Sequence, residues 1–231
     1  MHKHLGFDDT GRLSPMVRGK KGVYGEGEMY CTTVNVNSWG SFSKVHHLLS
    51  KWDIVAVQET KLHTDGKVNA AVSELRRQGM AGACFSKACT TQAGGISAGV
   101  GICWKGYVNV VATCEVQQGR ASGILVRSRV AGLVAFYSVY GFVADAGGFA
   151  RASILLNRVC EHAKTWGAPF VLAGDFNAKQ QRITEWAHEV GIEVRISAPC
   201  RNTCAASEGA VIDYFIVSPE LEVLMPRQPL L

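Results

Sequence analysis

Apolar residues occur along this chain in two patterns, as continuous runs of strand length and at spacings of three and four residues. The continuous runs predict β-strands at 31–37, 53–58, 79–85, 98–104, 108–114, 123–129, 133–140, 171–174 and 211–217. The helical spacings predict amphipathic helices at 42–52, 68–79, 152–166 and 183–190. Helices separated by many antiparallel-type strands predict an α/β sandwich with two sheets face to face and the helices outside. The pattern alone also allows other α+β folds.

Residues 1–30 differ from the remainder because they are polar and glycine-rich and show neither period. We interpret them as a flexible N-terminal leader and 31–231 as one domain. A chain of 231 residues that is 47% hydrophobic is long enough to bury a single substantial core.

Charge and cysteine content narrow the class of protein only slightly. The net charge of +5 permits a partner that carries phosphate but does not require one. The eight cysteines lie mostly inside apolar runs, where a reduced thiol packs as a small hydrophobic group. With no signal-type segment and no apolar run of membrane-spanning length, we expect an intracellular protein of the nucleus or cytoplasm. Cys200 and Cys204 resemble half of a zinc site, but no matching pair accompanies them.

Three of the predicted strands carry a carboxylate at one end. Glu59 ends the strand at 53–58, Asp175 follows the run at 171–174 with Asn177 two residues later, and Asp213 opens the last strand. Carboxylates at the ends of buried strands are costly unless they share a cation or a proton. Hard oxygen ligands of this kind suit Mg²⁺, with Mn²⁺ as an alternative.

The endonuclease/exonuclease/phosphatase superfamily has ordered signatures that three segments resemble: Gln58-Glu59-Thr60-Lys61, Gly174-Asp175-Phe176-Asn177 and Ile212-Asp213-Tyr214. Each short motif is weak by itself, whereas all three in order at strand ends form a specific signal. Within the superfamily the chain is most similar to apurinic-site endonucleases and to the endonuclease domains of non-LTR retrotransposons. The resemblance implies a DNase I-like α+β fold, a four-layer α/β sandwich of two packed mixed β-sheets flanked by helices.

The resemblance also implies a metal-dependent endonuclease that hydrolyses phosphodiester bonds of duplex DNA with Mg²⁺. By this likeness Glu59 binds the metal, and Asn37 stands where many members carry an aspartate near the metal. Asn35 would help to orient the site. For both asparagines, ordinary turn formation after a strand is an equally good interpretation.

Asp175 and Asn177 match the pair that handles the nucleophile and the phosphate. Asp175 would orient or deprotonate the attacking water or protonate the leaving group, and Asn177 would donate its amide to a phosphoryl oxygen. Tyr140 occupies the position of a tyrosine that contacts phosphate, although the usual proline and asparagine do not follow it. A simple Asp-Asn turn is the alternative for 175–177.

Asp213 matches an acid that orients a catalytic histidine in similar enzymes. Those enzymes place a Ser-Asp-His triplet some tens of residues later, whereas only 18 residues follow Asp213 here. His63 follows the Glu59 strand but is better interpreted as a solvated loop residue. We therefore expect a C-terminally truncated domain of weak or absent activity. The alternatives are a phosphatase acting on inositol phosphates or lipid head groups, and a non-catalytic nucleic-acid-binding remnant.

Overall fold

A computed structural model of the chain describes residues 29–42, 49, 51–91, 94–143, 147–198 and 211–224. The predicted leader, apart from its last two residues, and the cysteine pair at 200 and 204 lie outside these ranges. Helices separate the first three strands and flank β10, whereas β3 to β9 follow one another without an intervening helix. The twelve strands that the structure describes are β1 (Cys31–Asn35), β2 (Ile54–Gln58), β3 (Gly82–Ser86), β4 (Cys89–Thr90), β5 (Ile96–Ser97), β6 (Val100–Trp104), β7 (Val110–Gln117), β8 (Ala121–Ser128), β9 (Gly132–Tyr140), β10 (Phe170–Asp175), β11 (Arg195–Ser197) and β12 (Asp213–Val217).

The strands form two mixed sheets and one short hairpin. The four-stranded sheet has the order β1-β2-β6-β3, and the six-stranded sheet has the order β11-β12-β10-β9-β8-β7. Each sheet contains one parallel pair, β1 with β2 and β9 with β10, while the other neighbours run antiparallel. Parallel neighbours end at the same edge of a sheet, so the carboxyl ends of the two strands lie side by side within each pair.

The described helices are α1 (Trp39–Phe42), α2 (Asp65–Arg77), α3 (Gly148–Trp166) and α4 (Gln180–Glu189), followed near the end by a 3-10 helix (Pro219–Leu224). Thr64 caps α2 by accepting a hydrogen bond from the backbone of Lys67, and α3 ends at Gly167 in the left-handed conformation. The helix predicted at 42–52 is represented by α1, which begins three residues earlier, and residues 43–48 lie outside the described part.

Two hydrophobic cores hold these layers together. One lies between the sheets and includes Val57, Ile102 and Phe136, and the other joins the six-stranded sheet to α3 and α4. Successive residues of β9 face opposite cores, so Phe136 packs between the sheets and Tyr137 packs against the helices. Burial on both faces explains why β9 and β10 are apolar almost throughout, whereas the edge strand β7 alternates between exposed and half-buried positions. The predicted four-layer sandwich of two mixed sheets flanked by helices is confirmed.

The shortest strands were not predicted from the hydrophobic pattern of the sequence. The β4–β5 hairpin has strands of two residues, and β11 has three, which is too short to show a period of two. The strand predicted at 79–85 begins instead at Gly82, because Gly79 has φ +83° and belongs to the turn that ends α2. Within the described ranges, no helix combines the length and the apolarity needed to cross a bilayer. The six cysteines in these ranges are free thiols.

Candidate active site

The carboxyl ends of the two parallel pairs meet at one edge of the sandwich. In the four-stranded sheet Asn35 is the register partner of Gln58, and in the six-stranded sheet Asp175 is the register partner of Tyr140. The Asn35 side chain donates from Nδ2 to Asp175 Oδ2 at 2.8 Å, across the gap between the sheets. Glu59 follows Gln58 directly. The structure thus brings Asn35, Glu59, Tyr140 and Asp175 to a common edge.

Gln58 fixes the spacing of the two sheets at this edge. Its side chain is fully buried, accepts a hydrogen bond from Thr33 Oγ1 at 2.9 Å and donates to Ser138 Oγ at 2.9 Å. Ser138 Oγ in turn donates to the carbonyl oxygen of Val57 at 3.1 Å. Because a buried amide is stable only when its polar atoms are paired, this network resists any sliding of one sheet over the other. Gln58 belongs to the Gln58-Glu59-Thr60-Lys61 motif, but the motif by itself did not predict this structural role.

Strained backbone is concentrated at the same edge. The non-glycine residues with positive φ in the described ranges are Asn37 (55°), Glu59 (58°), Lys61 (55°), Ala98 (65°) and Asn177 (50°). Four of them lie in the loops after β1, β2 and β10, and the fifth, Ala98, accepts the backbone hydrogen bond of Lys61 at 3.0 Å. Each such conformation costs on the order of 1–3 kcal/mol and persists only where its surroundings enforce it. Because of these conformations, Glu59 and Asn177 do not continue the extended strand geometry that was assumed in the sequence prediction.

Asp175 is buried, with 6% of its surface exposed, and both of its carboxylate oxygens are bonded. The backbone N–H of Asn177 donates to Oδ1 at 3.0 Å, and Asn35 holds Oδ2. Burial raises the pKa of Asp175 above its usual value, the charge of Glu59 raises it further, and the hydrogen bonds from Asn35 and Asn177 lower it. A fixed carboxylate with a raised pKa is suited to exchanging a proton with a reacting group.

Tyr140 and Glu59 form the second half of the constellation. Burial, the charges of Glu59 and Asp175 and a hydrogen bond to Glu59 raise the pKa of Tyr140 to about 12, although Arg120 opposes the shift. The phenol therefore remains a neutral donor at physiological pH. Lys61 Nζ lies 3.4 Å from Glu59 Oε1, so this carboxylate already attracts one cation.

Arg120 is a site residue that the sequence analysis missed. Its guanidinium carbon lies 4.9 Å from the ring centroid of Tyr140 and 4.3 Å from that of Phe142, and its Nη1 donates to the Gly141 carbonyl oxygen at 2.6 Å. Burial lowers the pKa of this arginine. Among the described residues no carboxylate forms an ion pair with it. Arg120 lies in the turn between β7 and β8, and nothing in the local sequence distinguishes it from an ordinary turn arginine.

The remaining predicted residues lie around this centre. Asn37 is exposed in the turn after β1, and its backbone N–H donates to Asn35 Oδ1 at 3.0 Å. Asp213 stands opposite Asp175 in the β10–β12 register, which places the two side chains on one face of the sheet. His63 Nδ1 lies 3.2 Å from the Lys61 carbonyl oxygen, in the loop that carries Glu59. Asn37 and Asn177 lie in the loops after β1 and β10, whereas Asn35 is the last residue of β1. The backbone N–H groups of Asn37 and Asn177 donate to the side chains of Asn35 and Asp175, respectively.

The donor set at this edge suits a hard, largely hydrated cation. Within the described ranges no three His, Cys, Asp or Glu side chains are close enough to enclose a metal. Mg²⁺ does not require such a cage, because it keeps several waters and takes one or two protein carboxylates. Glu59, which is already paired with the Lys61 ammonium, is the carboxylate best placed for that role.

A second concave region lies on the outer surface between β7 and α3 and encloses about 460 Å³. Its lining includes Glu115, Glu161 and His162 but none of the strand-end residues. His162 Nδ1 lies 2.9 Å from the Tyr137 hydroxyl, so one ring nitrogen is already engaged. This groove offers no convergent set of strained, buried acids, and the strand-end constellation is the better candidate for chemistry.

Residues 32–227 match the endonuclease/exonuclease/phosphatase family, and the chain belongs to that family. Its members are hydrolases that act on phosphodiester bonds and generally use divalent metals. No curated protein matches the sequence.

Solved structures share the fold at low sequence identity. The catalytic domain of Xenopus laevis APE2 is 17% identical with a TM-score of 0.59, and the match covers 83% of this chain and 82% of that one. The endonuclease domain of TRAS1, a telomere-specific non-LTR retrotransposon, is 10% identical with a TM-score of 0.54 and coverages of 83% and 85%. ANGEL2, a 2',3'-cyclic phosphatase, is 13% identical with a TM-score of 0.55 and coverages of 77% and 72%. Nucleases and a phosphatase are thus both among the similar structures.

Proposed function

We propose that this member of the endonuclease/exonuclease/phosphatase family is a Mg²⁺-dependent phosphodiesterase that cleaves DNA internally. The observation that carries the proposal is the Asn35–Asp175–Asn177 hydrogen-bond network, held beside Glu59 and Tyr140 at one edge of the sandwich. Hydrolysis of a phosphodiester requires an activated water, a group that carries the developing charge, and donors that hold the phosphate in line.

Glu59 would hold the metal, and the exposed Asn37 would act only through bound water. When bound, the metal would supply a Lewis acid for the negative charge that develops on the phosphate. Glu59 and Lys61 have left-handed backbone conformations, and the N–H groups of Thr60 and Lys61 donate to the carbonyl oxygens of Gly99 and Ala98. These bonds would keep the Glu59 carboxylate in place before substrate arrives. Preorganisation of this kind avoids reorganisation at the moment of reaction.

Asp175 would take the proton of the attacking water, because its raised pKa and fixed oxygens suit a general base. As the water oxygen bonds to phosphorus, the bond from phosphorus to the leaving sugar oxygen would break, and that oxygen would take a proton from solvent. Asn177 would donate its side-chain amide to a phosphoryl oxygen. Tyr140 would donate its hydroxyl to another, and its pKa of about 12 keeps that proton in place over the working range. Asp213, opposite Asp175 in the sheet, would orient the histidine of a Ser-Asp-His strand if one were appended.

A plasmid-nicking assay tests the proposal. We expect slow Mg²⁺-dependent nicking of supercoiled DNA that Asp175→Ala abolishes, and faster nicking when a Ser-Asp-His strand from a relative is appended. A general acid or base contributes on the order of a hundred- to ten-thousand-fold in rate, which sets the size of the expected rescue. The control Asn157→Ala lies on α3 in a hydrogen bond to Trp186 and should nick like the parent chain.

The same preparations separate the other candidate functions. Release of phosphate from inositol phosphates or lipid head groups without DNA nicking would assign the chain to the phosphatases. DNA binding with no hydrolysis of any substrate, even after the strand is appended, would identify a non-catalytic binder. A reading frame that continues into a reverse transcriptase would assign the domain to a retroelement.

A further inference from the structure

The carboxyl end of β9 is held by Arg120, which lies in the turn between β7 and β8. The last register pair of β8 and β9 at this end is Ala121 with Val139, so Tyr140 lies one residue beyond the paired part of β8. The carbonyl oxygen of Arg120 accepts a hydrogen bond from the Tyr140 N–H at 2.8 Å. This bond extends the β8–β9 pairing by one residue, to the point where the tyrosine reaches the candidate site.

The side chain of Arg120 holds the two residues that follow. Its Nη1 donates to the Gly141 carbonyl oxygen at 2.6 Å, and its guanidinium carbon lies 4.3 Å from the ring centroid of Phe142 and 4.9 Å from that of Tyr140. Gly141 in turn donates its N–H to the Asp175 carbonyl oxygen at 2.7 Å. One arginine thus contacts three successive residues and connects them to the strand that carries Asp175. We call the contacts of Arg120 with residues 140–142 the arginine clamp.

The turn that carries Arg120 is itself fixed to the other sheet. The N–H of Gly119, which has φ +68°, donates to Ser86 Oγ at 2.5 Å, at the end of β3. The Gly119 carbonyl oxygen accepts from the Gly99 N–H at 3.0 Å, and the Gly99 carbonyl oxygen accepts from the Thr60 N–H at 3.0 Å. The clamp therefore has a firm base, because its turn is bonded to β3 and to the loop after β2.

A buried guanidinium is a costly group for a purely structural contact. Among the described residues no carboxylate forms an ion pair with Arg120, and burial of an unpaired charge is unfavourable. A neutral donor could bond the Gly141 carbonyl oxygen without that cost. Burial lowers the pKa of Arg120, and the charge of Glu59 is among those that oppose the shift. The cation thus lies close enough to the candidate site to interact with Glu59, which a structural contact alone does not require.

We propose that Arg120 is a positioning residue that holds the Tyr140 hydroxyl in the candidate site through the arginine clamp. The inference rests on the proposed function, in which that hydroxyl donates to a phosphoryl oxygen. The hydroxyl is hydrogen-bonded to Glu59, so the ring is held on its face by Arg120 and at its tip by the carboxylate. A displacement of about 1 Å can cost on the order of a hundredfold in rate, and the clamp opposes such a displacement.

Nitration by tetranitromethane, mapped by mass spectrometry in the absence of metal, measures the exposure of each tyrosine ring apart from cleavage. In the parent chain Tyr140 is 7% exposed and should react slowly, whereas Tyr107 is 66% exposed and should react fast. Arg120→Met should raise the nitration rate of Tyr140 severalfold. The fully buried Tyr137 and Tyr214 should stay unreactive, which distinguishes loss of the clamp from general unfolding.

Arg158→Met is the matched control, because Arg158 is an exposed arginine of α3 that donates to Gln117 Oε1 at 3.0 Å, at the end of β7. It should leave the nitration of Tyr140 unchanged. Arg120→Lys is the second variant if Arg120→Met does not fold. An ammonium is not planar and cannot cover both rings while it bonds the carbonyl oxygen, so Tyr140 should again react faster. Unchanged nitration of Tyr140 in the Arg120 variants, or an equal rise at Tyr137, would overturn the positioning role.

Plasmid nicking in Mg²⁺ measures the consequence for the reaction. Arg120→Met and Tyr140→Phe should each slow nicking by up to about a hundredfold. The double variant should be no slower than Tyr140→Phe, because both changes remove the same positioned donor. Additive losses would contradict a role that acts through Tyr140. A chain that never nicks DNA contradicts the proposed function, while the nitration rates still decide whether Arg120 holds Tyr140.

Discussion

Replacing Asn35 by alanine tests the central hydrogen bond of the candidate site. Asn35 Nδ2 donates to Asp175 Oδ2 at 2.8 Å, and Asp175 is 6% exposed. A hydrogen bond to a charged group contributes about 1.5–3 kcal/mol to stability, and removal of a donor leaves a buried carboxylate short of one partner. We therefore expect Asn35→Ala to lower the free energy of unfolding at pH 8 by about 2 kcal/mol through this bond. The variant also loses the hydrogen bond that Asn35 Oδ1 accepts from the Asn37 N–H, which lowers the free energy of unfolding by a smaller amount that does not depend on pH.

The expected loss depends on pH with a definite sign. Burial holds the folded-state pKa of Asp175 above its usual value, and loss of the Asn35 donor, which lowers that pKa in the parent chain, raises it further in the variant. The Asn35 hydrogen bond stabilises the ionised carboxylate. Its contribution is therefore complete above the folded pKa of the variant and disappears as the pH falls below that of the parent chain.

Urea unfolding followed by tryptophan fluorescence at steps between pH 8 and pH 4 measures the difference between the parent chain and the variant. That difference should shrink as the pH falls, because the hydrogen bond stabilises only the ionised Asp175 carboxylate. Asn157→Ala is the matched control, because it removes a neutral hydrogen bond to Trp186 Nε1 and should cost the same at both ends of the range. If Asn35→Ala destabilises the chain equally at pH 8 and pH 4, the Asn35 hydrogen bond does not stabilise the ionised form of Asp175.

Two further changes examine other parts of the edge. Glu59→Ala should abolish the thermal shift produced by millimolar Mg²⁺ or Mn²⁺, because it removes the carboxylate that fits the cation best. The control Glu115→Ala removes an exposed carboxylate and should retain the thermal shift. An unchanged shift in Glu59→Ala would assign the metal elsewhere. Gly141→Ala should destabilise the chain by several kcal/mol or prevent folding, since its Cβ would lie 2.0 Å from the Phe176 carbonyl oxygen, whereas Gly147→Ala meets open space and should cost less than about 1 kcal/mol. Equal stability of the two glycine variants in thermal unfolding would show that β9 and β10 do not approach this closely.

The strands and helices of this protein could be predicted from the sequence because their signals are local. The spacing of Ala152, Leu155, Val159 and Ala163 marks the face of α3 that the structure buries. The apolar runs at 133–140 and 171–174 became β9 and β10, the buried strands of the six-stranded sheet. Short elements such as β4, β5 and β11 contain too few residues for a period to appear. Apolar runs and hydrophobic periodicity are properties of residues close together in the sequence. They can be recognised without knowing which other segment the strand or helix packs against.

The acids at the strand ends were also visible in the sequence, but their relations were not. Asn35 and Asp175 are 140 residues apart, and Gln58 and Ser138 are 80 apart. Their contacts exist because two sheets pack face to face with both parallel pairs ending at one edge, an arrangement that no local pattern encodes. Arg120 is the clearest case: its turn sequence is ordinary, and only the packing of β8 and β9 places its guanidinium against Tyr140 and Phe142. The sequence by itself determined most of the candidate site residues and the strands that deliver them. Tertiary packing decided which of these residues share hydrogen bonds, because those bonds join segments that meet only after both sheets have formed.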